Sequence, residues 1–301
     1  MPSCYHVRFN VDGIKMLAAR RPPLLYRYRP IDAGFPPLAE PRSEINGEPQ
    51  EMGRLEALVK RGAHFFAHPS SFNDPFECRP QLQYDFSKSR TLSHIDNRIR
   101  QFHPHASPAR RLLFKAQARR AFGRPRYDEN IINNVVKNIG VLCFVERPDN
   151  LLMWAHYADA HKGVCLEFDT SEWLFRLAGK VSYSQTYPIV DTANQSPSHL
   201  ADTIFLTKSA EWAYEQEWRI ISRPGLSSAN PTVEALADDL IGPGVHHMPL
   251  HLLRRIIFGV NASVENVALV RRWVREANLS VSFARCQIAP GEFRLKIINE
   301  K

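Results

Sequence analysis

"NLLMWAHYADAHKGVCLEFD", residues 150–169, changes its period partway along. Asn150 is a natural helix N-cap, because its side-chain oxygen can accept from the orphan amides of a first turn. Met153, Trp154, Tyr157 and His161 then recur at spacings of three and four. This predicts a helix to about His161, with Gly163 as its stop. "VCLEFD" follows as a short, continuous apolar run of the strand kind.

Outward from this segment, helices and strands remain mixed. "LLYRYRP" (24–30) alternates and is ended as a strand by Pro30. "MGRLEALVKRG" (52–62) has helical spacing and a glycine stop, and residues 63–80 read as a strand and a turn-rich loop. "SPARRLLFKAQARRAF" (107–122) predicts a helix with Ser107 as N-cap and Pro108 at its first position. "ENIINNVVKNIG" (129–140) predicts another helix, then "VLCFVE" a buried strand. "KVSYS", "EWRIIS" and "LLRRIIFG" read as strands, "SVENVALVRRWVREAN" as a helix and "LSVSFARCQI" as a last strand. A short strand in residues 4–11 and a Pro- and Gly-rich loop over 32–50 complete the reading. The expectation is an α+β protein. A lead-in over 1–23 precedes a single domain over 24–301, with a mixed sheet, flanking helices and a helical insert near 85–138.

The 301 residues suffice for a large buried core. Hydrophobic residues make up 44% and charged residues 23%, which suits a soluble globular chain. No apolar run approaches the roughly 18 residues of a membrane span, and no secretory signal is visible. Five cysteines (4, 78, 143, 165 and 286) form no CxxC pair, which points to reduced thiols and a cytoplasmic location. Cys143 and Cys165 lie in apolar runs and are expected in the core. A net charge of +8 favours acidic partners, nucleic acid among them. No phosphate-binding P-loop, dinucleotide GxGxxG or nucleophile-elbow GxSxG is present, which disfavours those three classes.

Candidate chemistry is spread over several segments. His156 and His161 are five residues apart, so their side chains point about 140° apart and do not form a zinc pair. The helix that carries them, with Trp154 and Tyr157, is either a packing face or one whose polar tips line a cleft. In "SSFNDPFE" (70–77), Ser71, Asn73 and Asp74 make a rigid polar corner before Pro75, read equally as a plain Asx-turn or a binding corner. In "EWAYEQEWRII" (211–221), a strand from Tyr214 onward would put Glu215, Glu217 and Arg219 on one face and bury Trp218 on the other. Burying two carboxylates and a guanidinium requires pairing. The pairing is either a structural ion network or a catalytic carboxylate with a shifted pKa. On 25–29, Tyr26 and Tyr28 share one side and Arg27 and Arg29 the other. Those arginines suit a phosphate, or pairing with Glu215 or Glu217. Arg110, Arg111, Lys115, Arg119 and Arg120 make a basic helix that either contacts a phosphate backbone or is simply solvated. No metal site is read from the sequence.

"LYRYR", "HPSSFNDPFE", "CF" at 143–144, the 150–168 segment, "KVSYS", "EWAYEQEWR" and "RRIIFG" occur in that order. Over about residues 24–295 they resemble a widespread bacterial family of unknown function, whose pattern runs LYKYR, FNDPFE, CFS, MWxHYAxxHxGxxxxF, KVxY and YExEWR. Val145 stands where that pattern has a serine. At the level of motif order the chain also resembles ADP-ribosyltransferases. That resemblance implies NAD as the substrate and a toxin-like or defence role. It implies that Tyr26 to Arg29, Ser70 to Asn73, Asp74, Trp154 and Arg219 line the NAD site. His156, Tyr157, Glu215 and Glu217 would be catalytic, a glutamate holding the ribose as nicotinamide leaves and an arginine holding the pyrophosphate. The rival readings are a nucleic-acid-binding module using the basic helix, and a metal-dependent nuclease using Asp74 and the two glutamates.

Overall fold

Period-two alternation in Leu24–Arg29 sets two tyrosines against two arginines across a strand, and this strand lies inside the main sheet. The computed structural model describes residues 21–31, 53–85, 87, 89–121, 125–191, 195, 197–222 and 242–300. The expected strand in 4–11, the loop over 32–50 and nearly all of the 1–23 lead-in lie outside them.

In chain order the elements are β1 (Leu24–Arg29), α1 (Arg54–Arg61), β2 (Ala63–Phe66), β3 (Gln81–Leu82), α2 (Ser89–Phe102), α3 (Pro108–Ala121), α4 (Pro125–Val136), β4 (Gly140–Val145), α5 (Leu151–Tyr157) and β5 (Val164–Asp169). Then come β6 (Ala178–Lys180), β7 (Ser182–Ser184), β8 (Ile189–Val190), α6 (Pro197–Phe205), β9 (Thr207–Ser209), β10 (Glu217–Ser222) and β11 (Gly244–His247). β12 (Leu253–Phe258), α7 (Val264–Glu276), β13 (Ser282–Ile288) and β14 (Leu295–Asn299) close the chain. The architecture is α+β. Its main sheet has eight strands in the order β14-β13-β12-β5-β1-β4-β10-β6. Only the β12–β13 pair, joined through α7, is parallel, so the sheet is mixed.

Register assigns the faces. Tyr26 and Glu217 both sit opposite Val145, so these three side chains share one face. Leu25, Arg27 and Trp218 therefore lie on the other. That second face is apolar: Leu25, Leu142, Phe144, Leu166, Phe168, Trp218, Ile220 and Ile256 pack beneath α1 and α7. α1 and α7 are tied by a 2.6 Å Lys60–Glu276 ion pair. The first face carries two smaller clusters. One joins Tyr26, Tyr28, Val145 and Cys165 to Met153 and Trp154 of α5, and the other joins Val141 to Val136, Ile204 and Phe205 of α4 and α6. The gap between them is where charge is buried.

Local signals act much as expected at helix starts. Asn150 Oδ1 accepts from the amides of Leu152 and Met153, at 2.9 and 3.2 Å. Gly62, at φ 67°, ends α1. Helix ends are less legible. α5 stops at Tyr157, four residues before the expected end, because Asp159, Ala160 and His161 are all left-handed, with φ of 46°, 48° and 69°. Gly163 is indispensable for a reason other than stopping the helix. A Cβ there would lie 2.2 Å from the Arg29 carbonyl oxygen, so β1 closes over it. α4 runs from Pro125 to Val136, starting and ending four residues before the predicted span.

Candidate functional site

β10 begins at Glu217, not at Tyr214. Residues 210–215 form a 3-10 turn in which the Glu211 amide donates to Ser209 Oγ at 3.4 Å, and Gln216 is left-handed at φ 48°. The strand alternation thus applies to Glu217 and Arg219 but not to Glu215, which reaches the same place from the turn. Trp218 points into the apolar core, as its alternation requires.

On the other side of β10 lies a buried charge network. Arg219, with no exposed surface, grips both oxygens of Glu217 through Nε (2.9 Å) and Nη2 (2.8 Å). Its Nη1 donates to the Phe205 carbonyl at 2.8 Å, and Nη2 also meets Glu77. Lys208 of β9 donates to Glu215 at 2.6 Å and to Glu217 at 3.3 Å, and stands 3.6 Å from Glu77. Tyr157 of α5 donates its hydroxyl to Glu215 at 2.7 Å, and Asn73 lies beside the same phenol. The Glu217 amide donates to the Tyr183 hydroxyl at 2.8 Å. Glu77, Lys208, Glu215, Glu217 and Arg219 are all buried, whereas Tyr157 is half-buried and Asn73 exposed. The network therefore reaches the surface at Tyr157.

Its charge does not balance: three glutamates face one lysine and one arginine. Burial pushes the Glu217 carboxyl up to about 7, with Glu215 adding to this against the pull of Lys208. Burial opposes the charge on Lys208, but Glu217 and Glu215 outweigh it and its ammonium is held above the usual range. Burial, then the charge of Glu215, raises the Tyr157 phenol, so it stays a donor. Cys143 is half-buried and lies against Glu217. Burial and that carboxylate hold its thiol well above the ordinary range, which makes it a poor nucleophile.

Of the residues singled out from sequence, Tyr157, Glu215, Glu217 and Arg219 are brought into contact, with Asn73 at the rim. Asp74 is buried, caps its own turn by accepting from Phe76 N at 2.9 Å, and adds its charge to the field at Arg219. Ser71 is exposed and donates to the His68 carbonyl at 2.8 Å. His156 is exposed, its ring 6.3 Å from that of Tyr157. Trp154 does not line a cleft. It is fully buried, donates to the Pro148 carbonyl at 2.8 Å and meets Tyr28 edge-on. Tyr26 shares the Glu217 face but sits directly across from Glu167 of β5, and burial followed by that carboxylate pushes its phenol up to about 12. Arg27 and Arg29 cannot join the glutamates, since the sheet itself lies between them. Arg27 instead contacts His64 Nδ1 at 3.2 Å under the apolar face. The basic residues of α3 lie elsewhere: Arg110, Arg119 and Arg120 are exposed, Lys115 pairs with Asp96 at 2.5 Å, and Arg111 reaches the Pro104 carbonyl at 3.0 Å.

Two members of the network escaped the sequence reading. Glu77 sits in the FNDPFE motif, where the sequence itself signals only a turn. Lys208 stands in "IFLTKSAEW", where a single lysine among apolar residues was the one available sign of a buried cation. Among the described residues no group of three or more His, Cys, Asp or Glu side chains is arranged to hold a metal ion. No helix of the described residues is long and apolar enough to cross a membrane.

Fold and site together define an α+β protein with a buried carboxylate–cation network on one face of a mixed sheet. Residues 153–220 match a family model described as protein of unknown function (DUF2971). The matched segment runs from α5 into β10 and carries Tyr157, Lys208, Glu215, Glu217 and Arg219, so the resemblance to a family of unknown function holds across most of the network. No curated protein and no solved structure matches the chain.

Proposed function

We propose that the chain is an NAD-consuming enzyme of the ADP-ribosyltransferase kind, with Glu215 and Tyr157 at its chemical centre. The observation that carries this reading is the Glu215 carboxylate, buried in a network of three glutamates and two cations that approaches the surface beside Tyr157 and Asn73. Cleavage of the nicotinamide–ribose bond builds positive charge on the ribose. A fixed, water-poor negative field stabilises that charge without reorganising. Glu215 is joined to the surface through a phenol, since its partner Tyr157 is half-buried. Glu217, gripped by Arg219 from beneath, is a positioning residue that holds Lys208 and so Glu215 in place. Arg27 and Arg29 have no part in this version of the site. The unpaired thiols of Cys78, Cys143, Cys165 and Cys286 suit a cytoplasmic setting.

Nicotinamide release from NAD by the purified protein tests this directly, alongside Glu215→Gln and Tyr157→Phe variants whose folding is checked by circular dichroism. Release abolished in the first and reduced in the second is the expected result. Absence of release, with or without cell extract as acceptor, overturns it.

A second reading, a nucleic-acid-binding module, is favoured by one observation. α3 buries none of its residues, and exposes Leu112 and Leu113 beside its arginines. Binding that weakens steeply with salt, and is lost when Arg110, Arg119 and Arg120 become alanine, is its expected signature.

A further inference from the structure

Glu77 has a second environment. It lies in the wall of a cavity of about 260 Å³ between the His68–Ser70 corner, the Glu77–Arg79 segment and the last turn of α4. Its carboxylate faces Arg219 and Lys208. Besides Glu77 the wall carries two cations, Arg79 and Lys137, with the His68 ring, the Cys78 thiol and the Asn133 amide, so an anion entering it meets Arg79 and Lys137. The His68 ring is fixed in orientation, since its Nδ1 meets both Ser70 Oγ at 2.7 Å and Ser70 N at 3.1 Å.

A pair of exposed rings adjoins this cavity. Phe76, next in sequence to Glu77, is 63% exposed and stands edge-on to Tyr187, 43% exposed, with centroids 6.0 Å apart. The Tyr187 hydroxyl donates to the Arg79 carbonyl, which fastens the ring pair to the cavity wall. Leaving two large rings in water beside a cationic recess has no packing benefit. Both features are accounted for by a ligand with an anionic group and a flat, stackable one.

Size narrows the choice. Pockets for whole drug-sized ligands span roughly 300–1,000 Å³. A cavity of about 260 Å³ falls below this and fits a sugar phosphate rather than a dinucleotide.

We infer that this cavity is a nucleoside-monophosphate site, with the phosphate between Arg79 and Lys137 and the base on the Phe76–Tyr187 pair. The site adjoins the charge network through Glu77 and stands whether or not NAD is consumed there.

Titration calorimetry of the full chain with AMP, adenosine and inorganic phosphate tests it. AMP should bind more tightly than either part. Replacing Arg79 and Lys137, both exposed, by alanine should weaken AMP at least tenfold and remove phosphate binding. Phe76→Ala should weaken AMP and adenosine and leave phosphate unchanged. No AMP binding, or AMP binding unaltered in both variants, overturns the site. AMP binding without nicotinamide release removes the enzyme reading alone. Nicotinamide release without AMP binding removes this site alone.

Discussion

The two faces of β10 stabilise the protein by opposite means. Trp218 and Ile220 enter an apolar core, where burial is non-directional and scales with area. Glu217 and Arg219, their immediate neighbours in sequence, enter a network in which each group depends on a specific partner. The lesson is one of tolerance. The apolar face can lose a methyl group and close partly around the gap. The charged face cannot lose a cation without leaving carboxylates buried and unpaired.

The largest break in this contrast should come from Arg219→Met. It strands Glu217 and Glu77 in the interior and is expected to cost about 3–5 kcal/mol in a urea denaturation series. A loss below about 1 kcal/mol would mean that water reaches the network.

Next in size is a pH effect. The folded protein holds the Glu217 proton up to about pH 7, whereas the unfolded chain releases it near the ordinary 4.5. The contribution of this group is therefore fully present below about 4.5 and is lost as pH rises through 7. The slope approaches about 1.4 kcal/mol per pH unit inside that window. Denaturation midpoints at pH 5, 6, 7 and 8 should show the decline, and Glu217→Gln should flatten it. An equal slope in the variant would assign the titration to another group.

On the apolar face, Ile256→Val removes a single fully buried methylene and should cost only about 0.5–1.5 kcal/mol by the same denaturation. Smallest of all, Leu112→Gln on the exposed side of α3 should change stability by less than about 0.5 kcal/mol. A larger loss there would show that α3 is covered by part of the protein itself.

Much of the site was readable from local rules. Two-residue alternation puts Glu217 and Arg219 together and Trp218 behind them, whatever the rest of the fold does. Asn150 caps its helix because the cap needs only amides two and three residues ahead. Non-local features were hidden. Glu77 reaches Arg219 across 142 residues of chain, and no pattern inside the FNDPFE turn announces that partner. The turn at 210–215 also lay beyond a period-two reading, because one left-handed residue at Gln216 resets the alternation.

Arg27 marks the boundary most clearly. Sequence alone determined that Arg27 and Arg29 share a side of one strand, and that Glu217 and Arg219 share a side of another, because pleating is a property of each strand. Only the tertiary structure decided that these two sides face opposite ways. That choice rests on the register that sets Tyr26 and Glu217 across from Val145, which long-range pairing and burial of the apolar face impose together.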